Sequence, residues 1–131
     1  MTSVLIHLHP WLGYFVTVVF VLAIVLAFGK ARDAREFTVR PFAIAMILLD
    51  VHVLLGIVLY GMGSYWDASS AVIAYVHPAL ALLALVIGHV TLRKARDEPM
   101  AVASHRKVAR GFIITLLLIV AAIGVASAPI G

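Results

Sequence analysis

The sequence predicts an all-α membrane protein, a four-helix transmembrane bundle running up-down-up-down, and three observations carry that reading. Hydrophobic residues make up 64% of the 131 positions and charged residues 12%, which is more apolar surface than a soluble core of this size can bury. Four stretches without Lys or Arg, residues 5–29, 41–62, 71–92 and 111–129, each approach the ~17–25 residues that a membrane-crossing helix needs. All ten Lys and Arg residues fall in two loops, which a bundle of this topology puts at one end. Barrel strands are excluded, since they would be about half as long and would alternate in polarity.

The first span opens on MTSVLIHLHPWLGY with no basic residue ahead of its apolar run, so it reads as a span and not as a cleaved signal segment. Lys30, Arg32, Arg35 and Arg40 then join it to the second span, which carries the intramembrane pair Asp50 and His52. Turn residues in GMGSYWDASS form the next connection. The third span cannot start at Pro78, because residues 78–92 are too short to cross, so a kink just below Ala71 is expected there. The loop RKARDEPMAVASHRKVAR breaks at Pro99 and is expected to restart as a short amphipathic helix on the membrane surface before span four. Residues 1–131 thus form a single transmembrane domain.

Charge gives orientation. The first basic loop, together with Arg93, Lys94, Arg96, Arg106, Lys107 and Arg110 in the second, is expected on the cytoplasmic side, with both termini external. Trp11, Tyr14, Tyr60, Tyr65, Trp66 and Tyr75 gather at the opposite ends of the spans, as an interfacial aromatic belt or as the lining of a cofactor or quinone pocket. The net charge of +4 follows from this topology, so no nucleic-acid partner is expected. The absence of cysteine excludes disulfides, thiolate metal sites, iron–sulfur clusters and covalent haem attachment. No serine lies in a nucleophile motif, so hydrolytic catalysis has no visible apparatus.

Histidine carries the information that remains, because an ionisable group inside a membrane is costly and usually functional. His9-Pro10 and His77-Pro78 lie 68 positions apart, and the same shift lays Leu12 on Leu80, Val18 on Val86 and Gly56 on Gly124. This register reads as two pseudo-symmetric two-helix repeats. At about 1.5 Å per residue, His9 and His77 each lie roughly 9 Å below the start of their spans, a matched depth that suits two axial ligands of one haem iron. His52, nearer mid-membrane, is mismatched with His9, and His52 with His77 is the second pairing. Each of the three has a small residue at i+4, Gly13, Gly56 and Ala81, which gives a macrocycle clearance or lets helices pack closely.

The other polar residues are weaker candidates. His7 and His9 diverge by about 200° if helical, and could hold an external Cu or Zn only weakly if extended. His105, among basic residues, reads as solvated. Asp50 is expected to be neutralised or hydrogen-bonded within the bundle, facing away from His52, with a proton relay as the alternative. His89 has no histidine partner at its depth.

Matched histidines, His-x-x-x-Gly on span two and arginine-rich inner loops together resemble the small transmembrane b-type cytochromes, in particular the ascorbate-reducible and ferric-reductase cytochromes and short related bacterial membrane proteins. The resemblance covers the four spans. It implies non-covalent haem b, with His77 and His9 as iron ligands and His52 in the cofactor site, passing electrons to or from a quinone or a larger respiratory complex. The family pairs ligands about four turns apart on one helix; here His77 and His89 are 12 apart and His89 lacks an equivalent partner, so a second haem does not follow. The chain is thereby expected to be an electron-transfer protein or oxidoreductase subunit. Contrasting classes are a non-enzymatic subunit or scaffold of a larger complex, a homo-oligomer included, and a small proton or metal transporter using Asp50 and His52.

Overall fold

The computed structural model describes residues 2–128 as four long helices, α1 Thr2–Arg32, α2 Arg40–Met62, α3 His77–Arg96 and α4 Ala101–Ser127. All four are long and apolar enough to cross a membrane, the third counted with the turn that precedes it. The chain is a multi-pass integral membrane protein with an all-α four-helix bundle. Each helix packs on its sequence neighbours and α1 closes the ring against α4. Helices α1 and α3 therefore face each other across the bundle axis. Both basic connections lie at one end of the bundle and the Tyr65–Trp66 turn at the other.

Two features differ from those read in the sequence. Helix α4 starts at Ala101, ten residues before Gly111, so the expected surface helix is the first part of the span itself. The loop before it is tied down locally, with Ser104 Oγ donating to the Glu98 carbonyl at 3.2 Å and Lys107 Nζ donating to the Glu98 carboxylate at 2.6 Å. Helix α1 runs through Pro10 without interruption, so His9 is neither an N-cap nor at a break, and the extended arrangement of His7 and His9 does not occur. The predicted end of span four at Pro129 lies outside the described residues.

The expected irregularity ahead of His77 takes the form of a five-residue π-helical turn, Val72–Val76, and its cause is chemical. Pro78 has no N–H to give to the Ala74 carbonyl four residues back, and its ring crowds that carbonyl. Widening the turn makes room. The Tyr60 hydroxyl of α2 then donates to Ala74 O at 2.9 Å, which satisfies the freed acceptor inside a bilayer that has no water to do so. π-Turns of this kind occur frequently at functional sites.

Packing is unequal along the bundle. Toward the basic end the interior is filled: Phe20 and Phe112 have ring centroids 4.8 Å apart, Phe42 lies 6.1 Å from Phe112 and stacks on Phe37 at 5.9 Å. Gly111 lets α3 and α4 close, since a Cβ there would fall on the Thr91 side chain. His105, read from sequence as solvated, is instead completely buried in this plug against Phe37 and Phe42, and neither ring nitrogen has a hydrogen-bond partner. It belongs to α4, whose inward face at that level is aromatic; the neighbouring charges Arg106 and Lys107 say nothing about which way residue 105 points. Toward the other end the interior opens into a cavity.

Replacing Tyr60 by Phe leaves the Ala74 carbonyl without its donor and should cost about 1–3 kcal/mol. Reversible denaturation in micelles checks this, with Tyr75→Phe, whose hydroxyl makes only a 3.4 Å exposed contact, expected to change stability little.

Candidate functional site

The cavity, about 740 Å³ in volume, is lined by all four helices, and His9, His52 and His77 all face it. His9 and His52 stack almost face to face, with ring centroids 4.3 Å apart and planes 5° from parallel. His77 approaches His9 edge-on, at 6.1 Å and 81°. The depth mismatch expected between His9 and His52 is not found. Depth counted from the helix ends treats each helix separately; the register between α1 and α2 is set by their contacts, which put His9 against Gly56 and His52 against Gly13.

Glycine permits the stack reciprocally. A Cβ on Gly56, one turn after His52, would lie 3.0 Å from His9 Cε1, and one on Gly13, one turn after His9, would lie 3.2 Å from His52 Cε1. Each glycine clears space for the histidine of the facing helix, which is the close-packing reading of these small residues. Gly124, equivalent to Gly56 in the 68-residue register, has nothing within 4 Å. The repeat is therefore not preserved in the site.

Hydrogen bonding distinguishes the three rings. His77 Nδ1–H donates to the Ala122 carbonyl of α4 at 2.8 Å, which fixes the tautomer with a lone pair on Nε2. A ring nitrogen held in this way by a backbone carbonyl is the usual arrangement of a metal-ligating histidine. His9 Nδ1 and His52 Nδ1 are buried without any partner. Unsatisfied polar atoms of this kind cost about 1–3 kcal/mol each and call for an explanation in terms of a ligand, ion or water.

Two imidazoles bound to one metal at about 2.0–2.1 Å put their ring centroids roughly 6 Å apart, and His9 and His77, on helices facing across the axis, have that separation. The cavity adjoins both. His52 lies flat against His9, where it can support the ring without competing along the His9–His77 line. Among the described residues, no group of three or more His, Cys, Asp or Glu side chains is placed to hold a bare metal ion.

The remaining candidates fall elsewhere. His7 is exposed on α1. Asp50 turns away from His52 and hydrogen-bonds to His89 Nε2 at 2.7 Å, so Asp50 and His52 do not form one path. Of the aromatic residues, Tyr14, Tyr60, Tyr65 and Tyr75 line the cavity, whereas Trp11 is 73% exposed on the outer surface. Sequence reading missed Tyr60 as a support of the His77 turn, although Pro78 and the carbonyl four residues before it are a detectable signal. It also missed Ala122, for which no signal exists, because any residue offers the same carbonyl. Comparison with protein-family models, with curated proteins and with solved structures finds no match to this chain.

Gly56→Val should push His9 out of the stack. Nitrogen NMR of histidine-labelled protein is expected to show shifted His9 and His52 resonances in this variant and unchanged ones in Gly124→Val.

Proposed function

We propose that this protein is a membrane b-type cytochrome that holds one haem between His9 and His77 and transfers electrons to or from a quinone or a larger respiratory complex. The observation that carries the reading is the His77 Nδ1–H bond to Ala122 O at 2.8 Å, made by a half-buried histidine whose other nitrogen is left with a lone pair beside a large apolar cavity. A haem bound there would supply a one-electron carrier, its potential tuned by its axial ligands and surroundings. Everything else in the site is the work of the chain. Ala122 orients His77, the π-turn and Tyr60 hold the backbone that carries it, and Gly56 admits His9. His52 braces the His9 ring, and the phenylalanine plug keeps water from the basic end. With the positive-inside rule, the basic loops lie in the cytoplasm and both termini lie outside, which puts the cavity in the outer half of the bilayer.

Absorption spectra of oxidised and dithionite-reduced protein, expressed with added haem, test the reading. Wild type is expected to show a Soret band and a low-spin reduced spectrum, and His77→Ala to lose haem or turn it high-spin. The absence of a Soret band in wild type would overturn the cytochrome reading; an unchanged low-spin spectrum in His77→Ala would overturn the ligand assignment.

His52→Ala should retain haem but shift its midpoint potential, because it removes a neighbour of His9 and not a ligand. Potentiometric titration reads this. Haem loss in His52→Ala with retention in His9→Ala would make His52 the ligand.

Orientation is read by single cysteines placed in this cysteine-free chain and labelled in intact cells with an impermeant reagent. Labelling is expected at position 67 and not at 35 or 103; the opposite pattern reverses the orientation.

A further inference from the structure

One polar pair in the membrane takes no part in the histidine cavity. His89 of α3 and Asp50 of α2 meet at 2.7 Å, and their side chains are 52% and 41% exposed, on the outer face of the α2–α3 seam. Around them the surface is apolar and equally open: Val51, Leu54, Val86 and Val90 are each 46–61% exposed. Along the helices Asp50 lies about 15 Å from Arg40 and His89 about 6 Å from Arg93. The helix ends are staggered, and the two counts put the pair about 6–15 Å inside the basic end of a bundle that crosses a hydrocarbon layer roughly 30 Å thick. Ionisable groups at such depth ordinarily face the bundle interior or water. This pair lies on the outer surface of the bundle.

Its hydrogen-bonding capacity can be stated without assigning the shared proton. A net-neutral pair of this kind exists as imidazolium with carboxylate or as imidazole with carboxylic acid. In both, His89 Nε2 and Asp50 Oδ1 are occupied by their mutual bond, Nδ1 carries a hydrogen, and Asp50 Oδ2 retains a lone pair. The dyad thus presents one donor beside one acceptor on a greasy wall. Neither group has another hydrogen-bond partner among the described residues.

We infer that the Asp50–His89 dyad is the docking site of a quinone headgroup on the lipid-facing seam between α2 and α3. A quinone is soluble in the hydrocarbon and reaches this outer seam laterally through the bilayer. The oxidised ring's carbonyl accepts from Nδ1–H, the reduced ring's hydroxyl donates to Oδ2, and the isoprenoid tail lies along the exposed Val and Leu side chains. The choice of a quinone among lipid-soluble molecules rests on the electron-carrier reading above. The site is distinct from the aromatic end of the bundle, where the sequence alone would have put such a pocket.

The test uses the full chain without haem, reconstituted in phosphatidylcholine nanodiscs free of quinone and titrated with decylbenzoquinone labelled isotopically at its carbonyls. Infrared difference spectra should show a lowered carbonyl stretch in wild type, and affinity should fall about tenfold or more in the double variant Asp50→Leu/His89→Leu, the loss expected for a hydrogen bond to a charged group. Folding is not at risk in that variant, since it replaces lipid-exposed polar groups by apolar ones; Asp50→Asn, which keeps the size, should give an intermediate loss. Equal binding by wild type and double variant would overturn the proposal. So would efficient crosslinking between copies through cysteines at positions 51 and 86, because a second copy would then cover the dyad. The Soret measurement is independent: haem without quinone binding removes this site alone, and quinone binding at the dyad without haem leaves the site standing while removing the cytochrome reading.

Discussion

Hydrocarbon offers no hydrogen bonds, and nearly every feature of this bundle is a response to that constraint. Pro78 removes one backbone donor in the membrane, and the fold answers with a widened turn and a hydroxyl from the neighbouring helix. Asp50 and His89 would each be costly alone, and they pair. His77 gives its Nδ1–H to a carbonyl of α4. Where the constraint is not met, at His9 Nδ1 and His52 Nδ1, the unpaired atoms border the cavity. His105 is the exception: its unsatisfied ring is buried in a closed aromatic packing, edge-on to Phe37 and Phe42, and the structure offers no physical account of its free nitrogens.

The fold was legible because its signals are long and redundant. Twenty or so apolar residues between basic loops can only be a spanning helix, and the alternation of loops dictates an antiparallel bundle. Boundaries were less so. Helix α4 extends ten residues farther than the apolar run because Val108 and Ala109 continue its buried face between charges that point outward, and composition averages over both faces. The site was legible in part. That His9 and His77 share a region followed from depth. The stacking of His9 on His52 did not, because depth counted along each helix leaves the register between two helices undetermined. His105 was misread because a charge-rich neighbourhood describes a loop on average and says little about one position on a helix.

The two groups of intramembrane histidines also differ in how they are held. His9 and His77 belong to helices on opposite sides of the axis, so their separation is set by the whole bundle, through the glycine contacts of α1 with α2 and the carbonyl of α4. The Asp50–His89 pair depends only on the α2–α3 seam. A change in how α2 lies against α1 therefore moves the cavity histidines relative to one another, while the dyad responds to α2 against α3. Helix α2 is the element common to both, with Asp50 and His52 two residues apart on different faces.

The unequal filling of the interior has an electrical consequence. A membrane potential drops mainly across material of low polarisability, and the closed phenylalanine plug toward the basic end is such material. Moving one elementary charge across a whole membrane takes about 2.3 kcal/mol per 100 mV, and a charge passing between the basic end and His9, His52 or His77 would bear the part of that work that falls across the plug. The energetics of charging this site are consequently coupled to the potential of the membrane that contains it.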